Sequence, residues 1–193
     1  MDKEELRKNI LIIDNALSVE DFKLCEDVIY KENRVVKMLI EEDKFRSYTR
    51  WLPRSGSIIP RLMEKVIWSE KVHNAAKPLC DLAWKDLIMK YILNYEVHVT
   101  TYSKQKDHYK WHIDNERRSL NYIFYLTDCE GGFLQVSDYT DHDGEPWPNE
   151  SFSVGLSVKP KRNRMVIMPS WYIHRVTPLI SGERVTVNGH VSR

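Results

Sequence analysis

The sequence predicts an α+β protein in which helices of the first half buttress a β-sandwich or jelly roll built by the second half. Two observations carry this. Residues 95–191 break into short runs rich in β-branched and aromatic residues, with turn residues between them. The residues before them place apolar side chains mainly at helical spacing. A chain of 193 residues is most simply one domain. Within it, 1–94 is expected to be mainly helical support with some strands, and 95–193 the barrel core.

Residues 10–13 form an apolar run ending at Asp14-Asn15, a strand and turn. Ser18 is the expected N-cap of a following helix, with Glu20 and Asp21 in the first turn, where negative charge suits the helix dipole. Phe22, Cys25, Val28 and Ile29 make one apolar stripe, so this helix should pack on the outside of a sheet. Residues 34–40 read as a strand. Residues 45–51 have weak periodicity and leave two readings: a surface strand or loop, or a substrate-facing lid carrying Arg50 and Trp51. Residues 57–65 and 69–87 are expected helices, with Pro78 starting a new segment or kinking the second. Strands then follow over 95–102, 120–126, 133–136, 152–158, 164–168, 172–176 and 184–191. The acidic stretch 138–150, with Gly144, Pro146 and Pro148, is the long insertion.

Composition narrows the classes. With 29 basic and 28 acidic residues the net charge is +1, which argues against nucleic acid as a partner and against nucleic-acid demethylation as an activity. No apolar run is long enough to span a bilayer, and Met1-Asp2-Lys3-Glu4-Glu5 is too polar to open a signal peptide. Cys25, Cys80 and Cys129 are odd in number and far apart, unlike zinc or disulfide patterns, so a reducing, cytoplasmic setting is expected. Six Trp and ten Tyr suit an aromatic core or an aromatic-lined pocket.

The chemistry concentrates at Trp111-His112-Ile113-Asp114. On a strand, side chains two residues apart share a face, so His112 and Asp114 can reach one metal. Two protein ligands hold a metal poorly, and His174, in Trp171-Tyr172-Ile173-His174-Arg175-Val176, is the best third. Two His and one carboxylate form the facial triad of non-heme Fe(II) oxygenases, which leaves positions open for substrate and O₂. The competing reading is a satisfied polar core network. Trp111 and Trp171, each near a proposed ligand, read equally as packing or as pocket. His73, His98, His108 and His142 are expected to be structural, and the basic run 159–164 to be a turn rather than a nucleic-acid patch.

Further motifs surround the triad. Tyr102 lies upstream of His112; Ile123-Phe124-Tyr125-Leu126 and Gly131-Gly132-Phe133-Leu134 follow it. Pro160-Lys161-Arg162-Asn163-Arg164 leads through Met165-Val166-Ile167-Met168-Pro169 to His174-Arg175-Val176-Thr177-Pro178, and Ser181-Gly182-Glu183-Arg184 closes the set. In order and spacing these resemble the Fe(II)- and 2-oxoglutarate-dependent dioxygenases, in particular the prolyl 4-hydroxylase-like branch, over roughly residues 95–190.

The resemblance implies a double-stranded β-helix, a jelly-roll or cupin-like barrel. It implies Fe(II) on His112, Asp114 and His174, with 2-oxoglutarate and O₂ as co-substrates and ascorbate in support. Arg184 would meet the far carboxylate of 2-oxoglutarate as a bidentate partner. Tyr125 and Tyr102 would add hydroxyl donors, Thr186 shares the strand face of Arg184, and Leu134 and Val176 complete the co-substrate site. The implied reaction is oxidative decarboxylation to succinate and CO₂ coupled to hydroxylation of an unactivated C–H, in a prolyl residue of a peptide or protein or in a related amino acid. Where the family often has Trp after its arginine, this chain has His190. That departure bears on the substrate side, so His190 joins Arg50, Trp51, Trp111 and Trp171 as substrate candidates. The alternative from another class is a non-catalytic, metal-binding barrel that acts as a binding or sensing module.

Overall fold

The chain begins with α1 (Lys3–Lys8), β1 (Leu11–Asp14) and α2 (Val19–Lys31), followed by β2 (Met38–Glu42), β3 (Phe45–Trp51) and α3 (Ile59–Ile67). The second half holds β4 (Glu96–Tyr102), β5 (Tyr109–His112), β6 (Arg118–Tyr125), β7 (Cys129–Gly131) and β8 (Leu134–Ser137). It ends with β9 (Val154–Val158), β10 (Arg164–Pro169), β11 (His174–Val176), β12 (Leu179–Gly182) and β13 (Arg184–Ser192). The computed structural model describes residues 3–31, 38–42, 45–51, 58–67, 69–70, 96–114, 118–139 and 152–192. Most of the helix expected over 69–87, and the loop 140–150 with Trp147 and His142, lie outside the described residues.

The strands form antiparallel sheets of the jelly-roll kind. One sheet has the order β1-β10-β6-β13-β4-β3-β2, a second the order β5-β11-β8-β9, and β12 pairs with β7. Side-chain alternation gives the large sheet two different faces. Val97, Val99, Leu120, Tyr122, Phe124, Val185 and Val187 point to one of them, and there they pack with Phe22, Cys25 and Ile29 of α2 and with Leu62, Met63 and Val66 of α3. Each such large apolar side chain contributes about 1.5–3 kcal/mol on full burial, so this face is the main source of cohesion. The other face sends Ile123, Tyr125, Val166 and Met168 against Leu134, Val136 and Val158 of the smaller sheet.

Local chemistry sets the ends of the elements. Ser18 caps α2: its Oγ accepts from the Asp21 N–H at 3.2 Å, and its carbonyl from the Phe22 N–H at 2.9 Å. Asn163, at φ 59°, turns the chain into β10. Its amide grips the backbone of Leu17 from both sides, accepting from the N–H and donating to the carbonyl, each at 2.9 Å. The basic run around it is tied down, with Lys161 and Arg164 on Asp14 and Arg162 on Glu26, so it is a turn.

One expectation changes, and some short elements are added. Residues 45–51 take the strand alternative and form no lid: β3 is bonded to β2 on one edge and β4 on the other, with Arg50 opposite Val99 and Trp51 opposite His98 in register. Backbone pairing on both edges leaves such a segment no freedom to open and close. The short helix α1 and the pair β7 and β12 were not anticipated, being too brief to show a period. Among the described residues no helix is long and apolar enough to cross a membrane.

Candidate metal centre

His112 and His174 are direct partners across β5 and β11, with ring centroids 4.1 Å apart. Asp114 closes the group, its Oδ2 lying 3.6 Å from His174 Nε2. One potential ligand atom from each of the three lies within 4.8 Å of the others. The reason differs in part from simple strand alternation. β5 stops at His112, so Asp114 lies beyond the strand, where its N–H donates to the Ser170 carbonyl at 3.2 Å.

A β-bulge adds a second adjustment. His112 faces His174 and Tyr109 faces Val176, which leaves Lys110 and Trp111 together opposite Arg175. The extra residue lets Tyr109 and His112 point into the same space despite their odd separation, and their rings meet at 4.2 Å.

Both imidazoles are oriented for a metal. His112 Nδ1 lies 2.9 Å from the Lys110 carbonyl and His174 Nδ1 2.8 Å from the Tyr172 carbonyl. A carbonyl only accepts, so Nδ1 carries the proton in each ring and Nε2 presents its lone pair. Burial, reinforced by the charge of the neighbouring His174, holds the His112 pKa well below its ordinary value, which keeps that ring neutral.

The triad opens on a cavity of about 250 Å³ between the two larger sheets, and Arg184 lies on the same cavity wall. Arg184 is 2% exposed, and its Nε has no hydrogen-bond partner among the described residues. Its Nη1 makes a long contact to Thr186 Oγ1, at 3.5 Å. The Tyr125 hydroxyl is likewise buried without a partner among the described residues. Burial raises the pKa of both Tyr102 and Tyr125, with the Arg184 charge opposing it, so both phenols remain proton donors. Leu134 and Val176 line the same space. A buried guanidinium beside two hydroxyl donors is chemically suited to a carboxylate, and the two imidazoles with a carboxylate are suited to Fe(II).

Residues 97–192 match the family model described as the 2OG-Fe(II) oxygenase superfamily. The chain belongs to that superfamily. PKHD-type hydroxylases from Nitrosomonas eutropha and Nitrosomonas europaea are 37% and 38% identical over 86 residues. Those matches cover 44% of this chain and 37% of each relative, so the chain spans little more than a third of their length. The fold is shared with a Pseudomonas putida prolyl-4-hydroxylase at a TM-score of 0.62 and 17% identity, covering 99% of this chain and 96% of that one. A Trichoplax adhaerens prolyl hydroxylase in complex with a hypoxia inducible factor peptide fragment gives a TM-score of 0.65 at 18% identity, covering 100% of this chain and 87% of that one. The superfamily's requirement for Fe(II), 2-oxoglutarate and O₂ fits the donor set and the buried arginine of this cavity.

The substrate candidates divide. His190 lines the cavity. Trp111 does not: its ring lies 4.5 Å from the Arg175 guanidinium carbon and 5.7 Å from the Phe152 ring, on the outer face of the smaller sheet. Trp171 is 45% exposed on the turn between β10 and β11, against the edge of Tyr172, and does not line the cavity. Arg50 and Trp51 lie in β3, with their side chains outside the described residues.

Sequence reasoning did not single out Asn121, which lines the cavity, as does His98, expected to be structural and stacked here on His190. The available signal was a polar residue at alternate positions of otherwise apolar strands, in step with Tyr125 on β6 and with Tyr102 on β4.

Proposed function

We propose that this chain is an Fe(II)- and 2-oxoglutarate-dependent dioxygenase that hydroxylates an unactivated C–H, with a prolyl residue in a peptide or protein, or a related amino acid, as substrate. The carrying observation is that Arg184, buried and with no acidic side chain bonded to it among the described residues, shares one cavity with His112, Asp114 and His174. A buried cation is costly unless an anion meets it, and a dicarboxylate that reaches from the metal to Arg184 supplies that anion.

In this reading His112, Asp114 and His174 hold the metal, and residues 1–193 act as one domain whose sheets form a double-stranded β-helix on helical supports. Bound Fe(II) supplies the O₂ activation that couples 2-oxoglutarate decarboxylation to hydroxylation. The protein's own part is orientation and exclusion of water. The two backbone carbonyls at Nδ1 aim the imidazoles. Arg184, with the Tyr102 and Tyr125 hydroxyls and Thr186, fixes the far carboxylate. Ile123, Leu134, Met168 and Val176 give the cavity apolar walls. The prolyl and peptide assignment draws support from the prolyl hydroxylases that share the fold, one of them bound to a peptide. A cytoplasmic setting belongs to the same reading, supported by the free, buried Cys25 and Cys129.

The test is turnover with Fe(II), ascorbate and 2-oxoglutarate over a panel of proline-containing peptides and free amino acids. Succinate formation that rises with one substrate is the expected result, and His174→Ala should abolish metal binding. A protein that neither binds 2-oxoglutarate nor forms succinate across the panel overturns the proposal.

A further inference from the structure

Asp114 is the one member of the triad whose strand does not hold it, since β5 ends at His112. Two buried residues supply what pairing does not. Asn121 and His190 face each other in register across β6 and β13, exposed by 3% and 6%. Asn121 Nδ2 donates to Asp114 Oδ2, and Asn121 Oδ1 lies 2.6 Å from His190 Nδ1.

A carboxamide has one donor end and one acceptor end, so these two contacts determine each other. The amide oxygen only accepts, which places the proton on His190 Nδ1. With that donor in place, reversing the Asn121 amide would set its oxygen against the Asp114 carboxylate and its NH₂ against the His190 N–H. The His190 ring is itself held by stacking on His98, with centroids 5.8 Å apart and planes 29° from parallel. A tryptophan or phenylalanine at this position has no Nδ1–H to offer the Asn121 oxygen, so the imidazole is chemically distinct from the aromatic that the resemblance leads one to expect.

We propose that Asn121 and His190 are positioning residues, a carboxamide and imidazole in series that orient the Asp114 carboxylate toward the metal. This rests on the metal-site reading above. Outer partners of this kind typically govern metal affinity by roughly 10–100-fold.

The experiment is titration of the full chain with Mn(II), a redox-stable stand-in for Fe(II), following free Mn(II) by electron paramagnetic resonance. Asn121→Ala and His190→Phe should each weaken binding by roughly 10–100-fold. His190→Gln, whose amide can still donate to Asn121, should retain most of the affinity. Because the two act in series, Asn121→Ala with His190→Phe should bind no more weakly than Asn121→Ala alone. Losses that multiply in the double variant overturn the proposal. If Asn121→Ala does not fold, the pair His190→Phe and His190→Gln decides, and equal affinity in the two overturns it. Wild-type protein that binds no Mn(II) overturns the metal-site reading as well, whereas a wild type that binds and variants that match it overturn this proposal alone.

Discussion

The guanidinium carbon of Arg184 lies 5.1 Å from the ring centroid of Tyr102 and 5.1 Å from that of Tyr125. The two phenols flank the cation and restrict its rotation, so its donors are directed before any ligand arrives. Arg184→Lys keeps the charge but loses the planar fork and the fit between two rings. We expect 2-oxoglutarate affinity to fall roughly 10–100-fold, in line with charge-assisted hydrogen bonds of about 1.5–3 kcal/mol, while Mn(II) affinity holds. Calorimetric titration of 2-oxoglutarate into metal-loaded protein checks this; unchanged affinity in the lysine variant removes Arg184 from the co-substrate site.

Gly132 bears on the same arginine from behind. It has φ +62°, and a Cβ placed on it would come to 3.0 Å from Arg184 Cδ. Gly132→Ala therefore meets a backbone strain of about 1 kcal/mol and presses on the Arg184 side chain. The expected result is a modest fall in thermal midpoint with a larger proportional loss of 2-oxoglutarate affinity. Gly131→Ala should behave differently, because its Cβ would reach 2.4 Å from the Pro178 carbonyl oxygen, a backbone atom. It should destabilise by a few kcal/mol, as a clash with fixed backbone does. Equal stability losses in the two variants would count against this assignment of the strain.

Asp14 links β1 to β10, accepting from Arg164 Nε at 2.6 Å and from Lys161 Nζ at 2.7 Å. Its hydrogen bond to Arg164, then that to Lys161, hold its carboxyl well below the usual range. A carboxyl depressed in the folded state contributes stability above its unfolded pKa of about 4 and loses it as pH falls further. Denaturation of wild type and Asp14→Asn from about pH 6 to 3 should show a wild-type advantage that shrinks in acid. With the side chain 38% exposed, solvent screening limits that advantage to less than about 1 kcal/mol. An advantage that does not change over the range would mean that the charge of Asp14 contributes nothing.

Much of the site was legible because side-chain alternation is a property of one strand. Arg184, Thr186, Asn188 and His190 share a face of β13, as His98, Thr100 and Tyr102 share a face of β4, and this follows from their numbers alone. The cap at Ser18 and the turn before Arg164 were local in the same sense. The motif order was sufficient to select His112, Asp114, His174 and Arg184 as one set.

What lay beyond the sequence depends on which residues face each other across strands. The bulge at Lys110 and Trp111 exists only because Tyr109 and His112 pair with Val176 and His174, and it turns Trp111 to the outer face under Arg175. Asn121 shows no role until β6 meets β13 and sets it between Asp114 and His190. The segment 45–51 reads as a surface strand or loop, or as a lid, until both of its edges are bonded. The sequence by itself determined the period of each strand, because alternation is local, and the candidate ligand set, because the order of the motifs along the chain resembles that of a known family. The tertiary structure decided register, and register is set by packing between residues far apart in the chain.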